Sequence, residues 1–414
     1  MKRLLKALKY FGIALIALII TLNLYILLSG RFYLYKGVAN TYLKGEIRPT
    51  IYDLEIFPYS TMEKSDAVTP ILFHSQFDHF KISEAQEEYQ QSIGSKGLLI
   101  FKNDSLLLEK FWGEHDNSTV SNSFSMAKTV VSMLVGIAKE DGHIKSLNDK
   151  VCDYLPEFCG NGKEKITIRH LLTMSSGLDW SESAKNPFSN NAESYYGEEL
   201  RDLVLKQKVI SEPGKVFKYQ SGNTQILGFI VEAATKIDLS EYAKEKIWNK
   251  IGTESDIFWN LDKENGDEKS FCCLYASVKD YARLGMVLLH KGKYNGQQIV
   301  PTDYFMDMVS PEPLTTKEKI PNYRYGLQIW TYMDDEVQVN YMRGVSGQYI
   351  ITIPEENLLI VRVGSHKEPN FELDESKLTD PLYFETNKFK IGHSMSFLEL
   401  LKVARSITDK TEAK

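Results

Sequence analysis

The feature that most constrains this chain is an apolar run near its N-terminus, at residues 11–28. Only Thr21 and Asn23 interrupt it. Four cations precede it, namely Lys2, Arg3, Lys6 and Lys9. About 18 helical residues approach the thickness of a bilayer's hydrocarbon core, and cations at one end of such a helix favour the cytoplasmic side. The run therefore predicts a membrane-spanning helix with the rest of the chain outside the cytoplasm.

A buried core helix is one alternative for this run, but the adjacent cations argue against it. A cleaved signal peptide is another. No small-x-small cleavage site follows, because residues 29–33 read Ser-Gly-Arg-Phe-Tyr, and no cysteine that would indicate a lipoprotein follows directly. We favour a retained single-pass anchor in the inner membrane. Residues 1–10 form a cytoplasmic tail, 11–28 the span and 29–84 a juxtamembrane arm, with the main domain on the periplasmic, extracytoplasmic side.

The composition indicates a folded protein. Hydrophobic residues make up 43% of the 414 residues, charged residues 25%, and the net charge is −6. These values exclude long disorder, a collagen-like repeat and a protein that coats nucleic acid. Without the four N-terminal cations the net charge is −10 (−6 less four positive charges), so the outer part as a whole is not expected to bind anionic lipid by charge.

The four cysteines are too few for a disulfide scaffold, although export makes an oxidising compartment the expectation. Cys152 and Cys159 are near enough to form a disulfide across a short loop, and two free thiols remain equally open. Cys272 and Cys273 are adjacent, which would strain a bond between them. We interpret them as small buried residues, and neither lies near a histidine pair at zinc-ligand spacing.

Hydrophobic periodicity predicts strands, then helices, then strands again. Apolar runs at 98–101 and 106–108 predict a hairpin, and a buried helix is predicted from Ser125 to Asp141. Further helices are predicted at 168–174, 224–235, 239–251, 278–290 and 397–407. Strands are predicted at 325–332, 337–342, 349–353 and 358–363, with loops so short that neighbours must be antiparallel. This order predicts an α+β fold at 85–408, with one antiparallel sheet built from both chain ends and helices inserted between them. A charged tail follows at 409–414.

Three short segments carry residues that could do chemistry. Ser125 and Lys128 lie one helical turn apart, and a desolvated neutral lysine can take the proton of a serine hydroxyl. A helix-capping serine with a solvated lysine is the structural alternative. Tyr219 follows a Glu-Pro-Gly turn and could shuttle protons, or simply pack on the core. Residues 343–348, Arg-Gly-Val-Ser-Gly-Gln, place glycine between two predicted strands, where backbone N–H groups could meet an oxyanion or the chain could simply bend.

Together these segments resemble the penicillin-recognising serine hydrolases, which include class C β-lactamases, D,D-peptidases, esterases and 6-aminohexanoate-dimer hydrolases. The resemblance runs from about residue 97 to residue 365. It is carried by the nucleophile segment 122–128, by 144–149 and 153–158, by 168–180, by the Tyr219 loop and by 274–285.

The resemblance implies an α/β sandwich with an all-helical subdomain. It implies that Ser125 is acylated, that Lys128 and Tyr219 handle protons, and that the backbone N–H of Ser125 forms an oxyanion hole with one from Gly344 or Val345. Substrate would be bordered by residues of three regions. They are the Tyr219 loop, which is the second motif of the family, the segment around 341–347, which is the third motif, and the segment at 168–180. These residues are Ser221, Asn223, Asp179, Trp180 and Arg343.

Two departures from the family pattern argue against β-lactamase activity. Tyr341-Met342-Arg343 stands where β-lactamases and D,D-peptidases carry Lys-Thr-Gly or His-Thr-Gly, although Arg343 supplies a cation nearby. Ser221 replaces the usual asparagine of the second motif, with Asn223 two residues further on. The third motif looks more like that of the 6-aminohexanoate-dimer hydrolases.

The sequence therefore predicts a membrane-anchored serine hydrolase that acts through an acyl-enzyme on a small amide, ester or peptide substrate outside the cytoplasmic membrane. The alternative is a penicillin-binding or peptide-binding sensor that binds or acylates without turnover. We expect no cofactor, no metal and no nucleic-acid partner.

Overall fold

The computed structural model describes residues 1–77, 79, 81–377 and 380–412. Residues 413 and 414 of the predicted charged tail lie outside this description. The helices are α1 (Lys2–Ser29), α2 (Tyr33–Asn40), α3 (Glu84–Ser92), α4 (Ala127–Glu140), α5 (Ile168–Leu172), α6 (Asn190–Tyr196), α7 (Leu200–Leu205), α8 (Ser221–Thr235), α9 (Leu239–Ala243), α10 (Asn249–Ile251), α11 (Val278–Leu289), α12 (Thr302–Met308), α13 (Pro381–Asn387) and α14 (Met395–Glu412). The strands are β1 (Tyr59–Met62), β2 (Leu72–Phe73), β3 (Ser95–Lys102), β4 (Ser105–Phe111), β5 (Val120–Asn122), β6 (Ile257–Asn260), β7 (Leu274–Ser277), β8 (Lys293–Tyr294), β9 (Gln297–Gln298), β10 (Trp330–Asp334), β11 (Val337–Gly344), β12 (Gln348–Ile353) and β13 (Leu358–Gly364).

The central sheet joins the two ends of the chain. Its strand order is β10-β11-β12-β13-β3-β4-β2, and β13 pairs antiparallel with β3. Neighbours from β10 to β4 are all antiparallel, whereas the two-residue β2 adds a parallel edge beside β4. The predicted α+β fold, with a sheet built from both chain ends, is confirmed.

Both faces of this sheet are buried. Successive residues of a strand point to opposite faces, and each face packs against its own layer of helices. On one face, Leu99 and Phe101 belong to the core that also contains α4, α8 and α11. On the other, Leu98 and Ile100 pack in the core with α14. Of the helices inserted between β5 and β6, α8 packs against α4, and α5, α7 and α9 pack against α8.

A second sheet, with strand order β1-β6-β7-β5, does not follow from the sequence analysis. Its strands have three or four residues, too few for an alternating pattern to be recognised. It nevertheless positions the nucleophile segment. β5 ends at Asn122, and the N–H of Ser123 donates to the carbonyl of Leu274 at 2.7 Å.

Two expectations need correction. The strand predicted at 325–332 begins only at Trp330. The carbonyls of Leu327 and Gln328 accept hydrogen bonds from Ser132 and Thr129 of α4, so this segment is bound to a helix instead of a neighbouring strand. Gln328 also has a φ of 60°, which an extended strand does not allow.

The second correction concerns cysteines. Cys272 and Cys273 are buried as expected, but they are joined by a disulfide, which the sequence analysis argued against. Cys152 and Cys159 are also joined by a disulfide, with their Cα atoms 5.5 Å apart. Of the two alternatives left open for this pair, the structure has the disulfide and not two free thiols. Among the described residues no cysteine is free.

The arm does not extend away from the main domain. The carbonyl of Ile51 accepts a hydrogen bond from the N–H of Asn122 at 2.9 Å, and β1 pairs with β6. The arm is therefore bound to the sheet that leads into Ser125.

Candidate active site

Ser125 and Lys128 meet at the start of α4. Ser125 lies in a short 3-10 turn at Phe124–Met126, directly before the regular helix that begins at Ala127. Lys128 Nζ donates to Ser125 Oγ at 3.0 Å and to the carbonyl oxygen of Phe271 at 2.7 Å. The one-turn spacing thus places a half-buried hydroxyl beside a lysine amine.

Burial changes the protonation of this lysine. Lys128 is 1% exposed, and desolvation lowers its pKa to about 8, while the negative charge of Glu182 acts in the opposite direction. A charged amine loses solvation when it is buried, so the neutral form becomes accessible near physiological pH. The same residue outside the core would stay protonated.

Tyr219 completes a cluster of three hydroxyl and amine groups. Its ring centroid lies 5.3 Å from Lys128 Nζ, and the ring packs against Trp330 at 5.8 Å and Tyr325 at 5.7 Å. Burial and the charge of Glu182 raise the pKa of Tyr219, while a hydrogen bond with Ser125 and the charge of Arg343 act in the opposite direction. The phenol is therefore neutral at physiological pH and can donate a proton.

The end of β11 lies beside the cluster of Ser125, Lys128 and Tyr219. We call the space lined by this cluster and the end of β11 the cleft. A Cβ on Gly344 would lie 2.3 Å from the carbonyl oxygen of Ser123, so the close approach of these segments needs glycine. Val345 follows with 47% of its surface exposed, and Ser346 has a φ of 63°. The backbone of Gly344 and Val345 thus lies beside the turn that holds Ser125.

Glu182 is the charged residue of the cleft that the sequence analysis missed. Its carboxylate accepts hydrogen bonds from Ser221 Oγ at 2.6 Å, from the N–H of Ser221 at 2.8 Å and from Trp180 Nε1 at 2.8 Å. It therefore holds the first residue of α8, two positions after Tyr219. A glutamate two residues after a tryptophan carries no recognisable signal on its own.

The predicted substrate residues divide into two groups. Asn223 is fully buried and accepts a hydrogen bond from Ser176 Oγ at 2.7 Å, and Trp180 is buried over Gly222. Asp179 is exposed and accepts from the N–H of Lys208 at 2.9 Å. The hydrogen bonds of Asn223 and Asp179 thus go to Ser176 and Lys208. Ser221 and Trp180 both bond to Glu182, whose charge acts on Tyr219.

Arg343 lies on the cleft's cationic side. Its guanidinium covers the ring of Trp330 at 4.8 Å and donates to the carbonyl of Gly392 and to Asn370 Oδ1. Two further cations, Lys367 and Arg48, were not anticipated. Burial, together with the charges of Arg343 and Arg48, lowers the pKa of Lys367 to about 8.

Comparison with known proteins identifies the family. Residues 81–380 match the beta-lactamase family. The chain belongs to the beta-lactamase family. This family membership, together with the fold, confirms the resemblance to penicillin-recognising serine hydrolases, and it places the chain among hydrolases.

Individual relatives of this beta-lactamase family member are distant. A 6-aminohexanoate-dimer hydrolase from Paenarthrobacter ureafaciens is 21% identical over 335 residues, which cover 76% of this chain and 84% of the relative. A solved structure named "Putative 6-aminohexanoate-dimer hydrolase from Bacillus anthracis" has a TM-score of 0.68 at 20% identity, with 82% of this chain and 94% of that chain covered. A family VIII carboxylesterase has a TM-score of 0.57 at 15% identity, with 78% and 99% covered. At such identities the solved structures support the fold.

No group of three or more histidine, cysteine, aspartate or glutamate side chains that could hold a metal ion occurs in the part of the chain that the structure describes.

Proposed function

We propose that this chain is a membrane-anchored serine hydrolase that cleaves a small amide, ester or peptide substrate through an acyl-enzyme on Ser125. The observation that carries the proposal is the contact at 3.0 Å between Ser125 Oγ and the buried amine of Lys128. A serine hydroxyl becomes a nucleophile when an adjacent base takes its proton, and this amine can be neutral near pH 8.

In the acylation step, Ser125 Oγ attacks the substrate carbonyl carbon and its proton passes to Lys128 Nζ, with Tyr219 taking part in the transfer. Negative charge on the carbonyl oxygen is stabilised by the N–H of Ser125 and one from the Gly344–Val345 edge. The bond to the leaving group then breaks, and Tyr219 protonates the leaving nitrogen or oxygen.

In the deacylation step, water attacks the acyl-enzyme carbonyl and gives up its proton to the same Lys128 and Tyr219 pair, which passes it to Ser125 Oγ as the ester bond breaks. The products are a carboxylic acid and free Ser125, so the cycle needs only water as a second substrate. The three aromatic neighbours of the site, Tyr325, Trp330 and Phe271, limit the access of bulk water to the amine.

The first position of the third motif supports an amide or ester substrate over a β-lactam, because no cation stands there to bind a β-lactam carboxylate. Tyr341 and Met342 supply no cation at the first two positions of the third motif, and Tyr341 is buried in the core, where its hydroxyl bonds to His393. Cationic charge is supplied instead from Arg343, Lys367 and Arg48. We propose Arg343 as a substrate contact and Ser221 as a residue that positions the Tyr219 loop through Glu182.

The cellular location is part of the same proposal. Among the described residues, α1 is the helix long and apolar enough to cross a membrane, and few of its residues are covered by the rest of the protein. A signal sequence near the N-terminus would fit the same description. With α1 retained, the packing of α2 and Ile51 on the main domain keeps the arm close to the inner membrane's outer face.

The second candidate is a sensor that is acylated without turnover. Mass spectrometry after incubation with a penicillin and with p-nitrophenyl esters distinguishes the two. Release of p-nitrophenol over many turnovers indicates a hydrolase, and a stable adduct on Ser125 without turnover indicates a sensor.

A fluorophosphonate probe tests the nucleophile. We expect labelling of the wild type and its loss in Ser125→Ala, with ester hydrolysis falling by at least ~10³-fold. Ser132→Ala is the matched control, because this serine lies on the same helix but bonds to Tyr304 and Leu327. Equal labelling of Ser125→Ala and the wild type would contradict the assignment.

A further inference from the structure

The arm contains the helix α2, which carries apolar side chains on two sides. The main domain covers only one of these sides. On the covered side of α2, the hydroxyl of Tyr33 donates to the carbonyl of Pro187 at 3.0 Å, and Gly37 lies against the ring of Tyr196. These contacts seat α2 on α6 of the main domain. The rest of this segment faces away from the protein.

Large apolar side chains continue along the outer side at helical spacing and into the following turn. They are Phe32 (56% exposed), Tyr35, Val38, Tyr42 (67%), Leu43 (78%) and Ile47 (73%). Monomeric soluble proteins rarely expose so continuous an apolar surface without a partner. We call residues 32–47 the outer segment.

One contact of α1 with α2 and one with the main domain place the outer segment at a defined depth. The hydroxyl of Tyr35 donates to Asn23 Oδ1 at 2.6 Å, and the ring of Tyr25 meets Phe188 edge-on at 5.7 Å. Asn23 and Tyr25 belong to the last two turns of α1, within about 10 Å of its end at 1.5 Å per residue. The outer segment is therefore level with the end of the apolar run.

The charges of this segment also suit a membrane surface. Residues 31–48 hold four cations, Arg31, Lys36, Lys44 and Arg48, and one acid, Glu46, although the chain as a whole is acidic. Arg31 and Lys36 are tied to the main domain through Glu193 and Glu198. Aromatic and apolar side chains bordered by cations are typical of protein segments at the bilayer interface.

We propose that the outer segment lies in the interface of the outer leaflet of the bilayer that α1 spans, and that it seats the main domain on that surface. This inference rests on the proposed anchoring by α1. Since Ile51 of the same arm bonds to Asn122, three residues before Ser125, the contact holds the cleft close to the membrane surface.

Fluorescence quenching in the full-length protein tests this inference. Single cysteines are introduced by Leu43→Cys, by Leu18→Cys in the middle of α1 and by Met306→Cys on α12, and each is labelled with nitrobenzoxadiazole. Met306 is the matched control, an exposed apolar side chain on a helix that packs against the middle of α4 through Tyr304. The proteins are placed in phosphatidylethanolamine–phosphatidylglycerol vesicles, with a doxyl-labelled lipid or aqueous iodide as the quencher.

We expect the doxyl lipid to quench the labels at 18 and 43 about threefold or more beyond the label at 306, and iodide to show the opposite order. Lipid quenching at 18 without quenching at 43 would overturn the outer-segment inference and leave the anchor standing. A label at 43 that is shielded from both quenchers would mean that protein, such as a second copy of the chain, covers it. No lipid quenching at 18 would refute the anchor itself and the inference with it.

Discussion

Two buried lysines, Lys128 and Lys269, lie close to the segment around Phe271, and their amines contact different groups. Lys128 Nζ donates to the carbonyl of Phe271, whereas Lys269, which precedes Phe271 by two residues, has other partners. Lys269 Nζ donates to the carbonyl of Tyr195 and lies 3.4 Å from the ring centroid of Phe57, a residue of the arm. Burial lowers the pKa of both amines.

The comparison teaches that a depressed lysine pKa does not by itself identify a catalytic base. Perturbed groups gather at active sites, but structural burial perturbs them as well. Lys128 differs because a serine hydroxyl lies 3.0 Å from its amine, while no hydroxyl nucleophile bonds to the amine of Lys269 in the described structure. We therefore expect Lys128 to act in catalysis and Lys269 to bind the arm.

The largest expected effect is that of Lys128→Met. Removing the base should lower kcat/KM for a p-nitrophenyl ester by roughly 10³- to 10⁴-fold, because the Ser125 proton then has no acceptor at 3.0 Å. Lys269→Met, measured beside it, is expected to stay within about tenfold of the wild type. Equal losses in the two variants would remove the distinction between the lysines.

Tyr219→Phe should have the next largest effect. Losing a proton-transferring hydroxyl typically costs about 10²- to 10⁴-fold, and the ring remains to pack against Trp330. Tyr325→Phe is the matched control, since it removes a hydroxyl from the ring adjacent to Tyr219. Single-turnover measurement of acylation compares the two, and a loss in Tyr219→Phe no larger than that in Tyr325→Phe would contradict a specific proton-transfer role for the Tyr219 hydroxyl.

The pH dependence of activity sharpens the comparison further. Lys128 must be neutral to accept the proton, so kcat/KM should rise with pH through a midpoint near the pKa of about 8. Because Glu182 holds this pKa up, Glu182→Gln should move the midpoint to lower pH. Asp179→Asn, on the same loop but bonded to Lys208, should leave it in place. An unmoved midpoint in Glu182→Gln would leave the carboxylate only a structural role at Ser221.

These two lysines also illustrate what the sequence could predict. Ser125 and Lys128 were identifiable because a one-turn spacing on a helix fixes their contact locally, and the resemblance supplied Tyr219 and the Gly344 edge. The strands from β11 to β13 followed from apolar runs and short loops, whereas β10 begins five residues later than predicted. Long elements with a clear period are the ones that a sequence predicts well.

The remaining features depend on contacts between distant parts of the chain. Phe271, whose carbonyl holds Lys128, is 143 residues away from it, and Ser221 lies 39 residues from Glu182. Arg48 acts through its charge on Lys367, 319 positions further along the chain. No spacing rule connects such residues, so Glu182, Arg48, Lys367 and the binding site of Lys269 appear only in the folded structure.

The smallest expected effect is on stability, through Lys269. The pKa of its amine in the folded state lies well below the ordinary 10.5, so at intermediate pH the unfolded chain binds a proton that the folded chain does not. Stability rises with pH wherever the unfolded state binds more protons, and Lys269 therefore contributes a rise between its folded pKa and 10.5.

Lys269→Met removes this contribution, so its free energy of unfolding should rise less between pH 7 and 9.5 than that of the wild type. At pH 7 the two should differ by only about 1–2 kcal/mol, because an apolar chain of similar volume replaces a buried amine and its contacts with Tyr195 and Phe57. Urea unfolding at several pH values measures both quantities. The tyrosines with raised pKa are common to the two proteins and cancel in the difference. An identical pH slope in the variant would mean that Lys269 keeps its proton in the folded state, and that the arm binds a charged amine there.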